Sequence, residues 1–401
     1  MIAPLTTLLA LLTLLAALLL RPRPEGEPPR TQLLGLALWF IALLPLASVL
    51  HSPHALGPAG VLLTWALVLA LLLRDLRDPY SSEAALKLAW VGGAALALSL
   101  AGEHLLALAA GTARVSEQGP ALTLGLDPYA LWGVALVLSL MVGVVLLAGV
   151  PFHFWAADLA QGAPLHIAPL ALASLAALGA AWLSRRLAEV ANFPDGLDRV
   201  GAVLAGSAVL ALIGGGASLA WQKRPDRRVG VLVGVQGALV LTALAIDPGR
   251  APFTSLSQDG LAAWAIHLGL ALTGAIAFAR FTPADVHAIE PPAVLFRRHP
   301  WAGFAALYAL LSLSGAPGTP GASLWFVTAR RAIETGHSGW TLALAFAWVA
   351  SVAMVISEAR RAFGIPASGP APEAEVPLRV RVALFAVAGG LAMLGLAWIL
   401  V

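Results

Sequence analysis

Two lysines, Lys87 and Lys223, stand among the 24 basic residues of a 401-residue chain. Lys87 follows Glu83 by four positions, which puts amine and carboxylate on one helical face, and it opens an apolar run that continues to residue 110. An amine placed there either snorkels to water or is held inside, where it needs a partner or a watered cavity to keep its charge. Glu103 and His104 fall late in the same run. Histidine titrates near neutrality, so this pair is either a proton-handling couple or an interfacial one. His153, within PFHFW, either lines a passage or caps a helix, and Gln236 is a polar group able to orient water inside an apolar segment. His166 and His267 are isolated, and a satisfied hydrogen bond is the expectation for each. Trp325 reads as a bulky packing group.

Much chemistry is excluded. With no cysteine there is no disulfide, thiolate metal site or cysteine nucleophile. No H-x-x-x-H accompanies a carboxylate, no G-x-G-x-x-G opens a helix after a strand, and no pair of histidines faces a haem. We expect no cofactor, no metal and no catalytic residue, so any link to electron transfer runs through partners. The net charge of +3 comes from loop arginines and does not point to nucleic acid.

What must position these groups is a membrane bundle. Hydrophobic residues make up 59% of the chain and charged ones 11%, and the mean hydropathy is +0.86; no soluble domain needs so much apolar area. Spanning segments fall at 3–20, 31–50, 57–73, 83–110, 129–150, 165–184, 198–220, 229–246, 258–279, 300–335, 338–358 and 379–400. At roughly 20 residues per crossing they amount to about twelve spans. The opening MIAPLTTLLALLTLLAALLL lacks a basic n-region and reads as a retained first span, with a cleaved leader as the alternative.

Basic residues orient the bundle. One side receives Arg21, Arg23, Arg30, Arg74, Arg77, Lys223, Arg224, Arg227, Arg228, Arg280, Arg297, Arg298, Arg360, Arg361, Arg379 and Arg381. The other receives Arg114, Arg185, Arg186, Arg199, Arg250, Arg330 and Arg331. The richer side is expected to be cytoplasmic, which puts both termini outside in a multi-pass protein of the cell's inner membrane.

Two segments exceed a simple crossing. As one helix, residues 83–110 extend about 42 Å. The segment 300–335 contains LSLSGAPGTPGASLWF, where Pro317 and Pro320 among Gly315, Gly318 and Gly321 remove backbone donors and lower helix propensity. Broken backbone at membrane depth survives only inside protein or beside water, and interrupted helices mark the sites of inverted-repeat carriers. The segment is either a discontinuous helix or a kink between two short ones. PFHFWAADLAQGAP, 151–164, stands at the cytoplasmic end of the fifth span. Its Pro151 stops or restarts the helix, and Phe152, Phe154 and Trp155 supply aromatic surface for the interface.

PFHFWAADLAQGAP resembles the PFHFW-x-x-D-x-x-x-G-x-P signature of the antiporter-like membrane subunits of NADH–quinone oxidoreductase, respiratory complex I, subunit N above all. EAALK at 83–87 is similar to the family's EAALKYFLLGA, LSLSGAPGTPG to its LSLxGxPPxxGF break, and WQKRPDRRV at 221–229 to its QKxxKRLLAYSS element. These marks cover roughly residues 60–360. The resemblance implies an all-α polytopic membrane protein with two inverted five-helix units and discontinuous helices. On this reading residues 1–56 are N-terminal spans, 57–187 a shortened first repeat, 188–358 the second repeat, and 359–401 a loop and last span.

The family is thought to move protons along a central row of lysine, glutamate and histidine. The resemblance sets Lys87 in the first broken helix. At the other family positions stand Thr64, Leu146, Ala176, Gln236 and Trp325. Leucine, alanine and tryptophan do not titrate, so a continuous relay looks impaired unless Glu103, His104 or neighbouring subunits substitute. The proton-path candidates are therefore Lys87, Glu83, Glu103, His104, His153 and Gln236. The resemblance implies a membrane-arm subunit of a proton-translocating quinone oxidoreductase, touching other membrane subunits and lipid, with quinone only indirectly through neighbours. A cation/proton antiporter assembly and a purely structural membrane scaffold are the alternatives.

Overall fold

In the computed structural model, the described residues are 2–20, 65–66, 68–69, 79–112, 117–118, 121, 129–149, 151–190, 196–248, 250, 252–256, 260–281, 295–363 and 376–400. Its helices are α1 (Ile2–Leu19), α2 (Pro79–Ala110), α3 (Tyr129–Leu146), α4 (Phe154–Gly162), α5 (Ala168–Val190), α6 (Gly196–Trp221) and α7 (Pro225–Ile246). Then follow α8 (Gly260–Phe281), α9 (Leu295–Arg298), α10 (Pro300–Ser314), α11 (Pro320–Glu334), α12 (Trp340–Phe363) and α13 (Leu378–Leu400).

The protein is an all-α, polytopic membrane bundle. Among the described residues seven helices, α2, α5, α6, α7, α8, α12 and α13, are long and apolar enough to cross a membrane. Of the roughly twelve spans expected, these seven are the ones the described residues bear out by length and composition. Leu8–Ala17, Leu131–Leu146 and Pro300–Ser314 are shorter apolar helices, and the 300–335 segment is two helices rather than one. The expected spans at 31–50 and most of 57–73, with Thr64, Arg21, Arg23, Arg30, Arg74, Arg77 and Arg114, lie outside the described residues.

Lipid removes the hydrophobic gradient that sorts a soluble helix, so the buried face of each span is marked by small residues rather than by apolarity. On α12 the inward stripe is Leu344, Ala347, Ser351, Met354, Val355 and Glu358 at helical spacing, while Leu342, Phe346, Val349 and Ile356 point outward. The centre is α8, buried without interruption from Gly260 to Ala279, flanked by α5 and α7. Gly143 and Gly179 let α3 and α5 meet backbone to backbone, since a Cβ on either would collide with the facing helix. On α2, Ser99 donates to the Leu138 carbonyl of α3 at 3.2 Å and accepts from the Val142 N–H at 2.9 Å.

The chain breaks twice inside this bundle. After Leu146 it turns through Ala148, held at φ 54°, and restarts as α4. The Val145 carbonyl accepts from the Ala148 N–H at 2.9 Å and also from the Trp155 indole N–H at 2.8 Å. Trp155 is fully buried, so it is a plug for the break and not the interfacial aromatic that its position after Pro151 suggested. The second break follows Ser314, where Gly315 caps α10 in the left-handed region at φ 76°. Pro320 then starts α11, where its missing N–H costs nothing. This is the discontinuity expected for 300–335.

Candidate functional site

Ionisable side chains gather at the two ends of the bundle, with a third, uncharged constellation between them. At one end, Lys87 lies 2.6 Å from Glu83 and 2.9 Å from Asp158 of α4. Asp158 is buried and also receives Arg227 of α7 at 2.5 Å; the same guanidinium donates to Gln161 at 2.9 Å. The helix holding Lys87 begins at Pro79 rather than near Ser82, so the amine sits two turns inside, its side chain about one third exposed.

Glu83 and Asp158 thus both engage Lys87. One expectation for it is corrected: it does not stand in a broken helix, since α2 runs unbroken from Pro79 to Ala110 and the first break falls between α3 and α4. The long apolar run of α2 contains no proline past Pro79 to interrupt it.

Arg280, at the last turn of α8, donates to the carbonyls of Ala160, Gln161 and Ala163 at 3.0, 2.5 and 2.9 Å. The cation thus sits on the negative end of α4, where free carbonyls and the helix dipole both favour it. Nearby, Arg228 of α7 pairs with the buried Glu358 of α12 and donates to the Gln222 carbonyl at 2.5 Å. Arg224 forks onto Asp226 at 3.2 and 3.0 Å, and that carboxylate raises the guanidinium above its ordinary range.

At the other end Glu103 and His104 part. Glu103 pairs with Arg186 of α5, which is itself buried and pairs with Glu189. His104 is exposed, and its Nδ1 lies 2.8 Å from the Leu100 carbonyl one turn back on its own helix. Adjacent helix positions diverge by about 100°, so the two cannot act as a buried couple. Arg186, expected in an outer loop, lies inside α5.

Between the ends lies the α10–α11 break. Gln236 of α7 donates to the Leu313 carbonyl at 2.7 Å. His267 of α8 contacts the Ser312 hydroxyl at 3.0 Å through Nε2, and that hydroxyl accepts from the Gly321 N–H at 3.3 Å. Trp348 of α12 donates to the Gly315 carbonyl at 2.7 Å. Gln236, the Ser312 hydroxyl and Trp348 each answer a backbone group at the break, and such a group left open in hydrocarbon would cost several kcal/mol. Trp325 fills the space over Gly315 so closely that a Cβ there would strike its ring. The indole N–H of Trp325, the Gln236 side-chain oxygen and His267 Nδ1 are buried and have no protein partner among the described residues. His153, at the first break, contacts Ser218 at 3.3 Å through Nε2.

His267 and Asp158 are the groups that sequence reasoning undervalued. His267 was read as isolated, yet it is fully buried against a break. Asp158 was visible only as a letter of the PFHFW motif. Leu146 and Ala176, by contrast, are buried among apolar neighbours. Among the described residues no three His, Cys, Asp or Glu side chains are placed to hold a metal ion, and the chain has no cysteine.

No family model matches the chain. Curated relatives do. It is 29% identical over 343 residues to NADH-quinone oxidoreductase subunit N 1 of Solidesulfovibrio magneticus, covering 84% of this chain and 70% of that one. It is 30% identical over 327 residues to NADH-quinone oxidoreductase subunit N of Geobacillus kaustophilus, covering 78% of this chain and 64% of that one. The chain thus spans about two thirds of the length of these relatives. Among solved structures, respiratory complex I from Thermus thermophilus holds a chain that matches 98% of this one and 83% of its own length, at 26% identity and a TM-score of 0.71. The membrane-bound sulfane sulfur reductase, an archaeal respiratory membrane complex, shares the fold at 18% identity, TM-score 0.76, over 98% and 78% of the two chains. The Mrp complex from Dietzia sp. does so at 16% identity, TM-score 0.70, over 99% and 82%. The chain is thus similar in sequence to subunit N of NADH-quinone oxidoreductases, and it shares its fold with chains of these three membrane complexes.

Proposed function

We propose that the protein is a membrane-arm subunit of an NADH–quinone oxidoreductase-like, proton-translocating complex, and that its own proton path is degenerate. It works there as a scaffold and mechanical coupler, joined to other membrane subunits and to lipid, and it meets quinone only through neighbours. The charge distribution supports a cytoplasmic placement for the end that holds Lys87, Arg227 and Arg228, with both termini on the opposite side. Residues 57–187 and 188–358 then form the two repeats, each with one of the two breaks.

The observation that carries this reading is the charge census of the interior. Among the described residues the buried ionisable groups Asp158, Arg186, Asp226, Arg228 and Glu358 are all ion-paired near the bundle ends, and only His267 lies deep without an ion partner. A relay needs several titrating groups within hydrogen-bond or single-water reach. Leu146, Ala176 and Trp325, at positions where the resemblance expects titrating groups, cannot carry a proton. Lys87, held by two carboxylates, acts as a clamp between α2 and α4.

Membership is tested by affinity purification of the full chain from native membranes with mild detergent. The expected result is copurification of NADH–quinone reductase activity with a multi-subunit membrane complex. Recovery of the chain alone, or with sodium/proton exchange and no NADH oxidation, would sink the reading.

A further inference from the structure

A cavity of about 300 Å³ opens at the end of the bundle opposite Lys87, between the last turns of α7 and α11 and the turn at 252–256. Its lining is buried at Pro252, Phe253 and Thr328 and exposed at Arg250, Arg330 and Ser255, with Arg331 and Thr254 also around it. Three guanidiniums face two carboxylates, Asp247 and Glu334. Arg331 is committed to Asp247, and Arg330 to Glu334 at 2.6 Å. Arg250 has no carboxylate within salt-bridge distance among the described residues; its Nε donates to the Thr254 hydroxyl at 2.8 Å. Among the described residues the cavity is therefore left with one positive charge and spare guanidinium donors.

The turn that forms one wall is held under strain. Phe253 is buried at φ 60°, a region a bulky side chain rarely adopts. Gly260 fits beneath it only because it has no Cβ, which would strike the Phe253 carbonyl. Strained backbone persists where the surroundings over-determine it, and such positions cluster at binding sites. Here it fixes Thr254 and Ser255 at the rim.

We propose that this cavity binds a phosphate group, with Arg250 and Arg330 as its principal donors. Guanidinium forks match phosphate oxygens in pairs, and hydroxyls complete the shell. The cavity lies at the end of a spanning helix, apolar below and cationic above, a depth profile suited to the headgroup of an anionic phospholipid. A free phosphate or phosphate monoester offers the same chemistry from the aqueous side.

The test uses the full chain in nanodiscs of phosphatidylcholine, with and without phosphatidylglycerol, and the double variant Arg250→Gln with Arg330→Gln. Neither residue anchors α11 to α7, so the fold should survive, and an unchanged unfolding temperature in pure phosphatidylcholine checks this. Native mass spectrometry of the released protein is expected to show saturable retention of phosphatidylglycerol, weakened about tenfold in the double variant. If millimolar inorganic phosphate raises the unfolding temperature of the wild type alone, and phosphatidylglycerol does not, the source is soluble phosphate and the site stands. Equal behaviour of wild type and variant toward both probes would overturn the proposal. Should the double variant unfold at a lower temperature, Arg250→Lys with Arg330→Lys keeps the charge and loses the fork. Partial recovery of binding is then expected, and none would count against the site.

Discussion

The Lys87 amine lies 2.9 Å from the Asp158 carboxylate, and the two residues belong to helices separated by the first break in the bundle. The pair ties the start of α2 to α4. Asp158 is buried and holds two cations, whereas Glu83, the lysine's other partner, is largely exposed.

The two carboxylates should therefore respond differently to removal. Asp158→Ala strands Arg227 and Lys87 together, and breaking a buried pair costs about 3 kcal/mol or more. Exposed pairs one helical turn apart contribute little, so Glu83→Ala should leave the unfolding temperature unchanged. Thermal unfolding of the purified chain in detergent checks both. Equal effects of the two variants would contradict the clamp.

A second prediction concerns Arg228 and Glu358, which fasten α7 to α12. Glu358→Leu leaves Arg228 buried beside no carboxylate, and the expected loss is about 3–5 kcal/mol. Combining it with Arg228→Met removes both charges at once, and most of the stability should return. A double variant no better than the single one would show that packing, not charge, dominates at this contact.

The α10–α11 break makes a third. A Cβ at Gly321 would meet the Ser312 carbonyl oxygen, while one at Gly318 meets nothing within 4 Å despite a φ of 81°. Gly318→Ala should cost about 1 kcal/mol of backbone strain. Gly321→Ala must push α11 away from α10, at about 3 kcal/mol, and should also disturb the Ser312 hydroxyl that His267 contacts. Unfolding temperatures of the two variants give the comparison.

Most of the helix pattern was legible in the sequence, because spanning length and proline–glycine punctuation are local properties. The segment 300–335 announced its break through Pro317, Pro320 and three glycines. The first break did not announce its place: Ala148 takes a left-handed conformation that alanine does not advertise, and Pro151 alone left open whether the helix stops or restarts. Pairing was harder still. Asp158 and Arg227 are 69 residues apart, and Arg228 and Glu358 are 130 apart. Nothing in one strand of text reports contacts over such separations. The adjacency of Glu103 and His104 misled for the opposite reason, since neighbours in sequence diverge around a helix.

His267 is the point on which the central claim turns. Among the described residues it is the fully buried titratable side chain without an ion partner, it touches a helix break through Ser312, and the buried Leu146, Ala176 and Trp325 do not titrate. The direct measurement is the proton-to-electron ratio of the assembled complex in proteoliposomes, for wild type and for a Lys87→Met, His267→Leu double variant. The account predicts equal ratios once assembly and NADH oxidation are matched. A ratio lowered in the variant, with electron transfer intact, would contradict it.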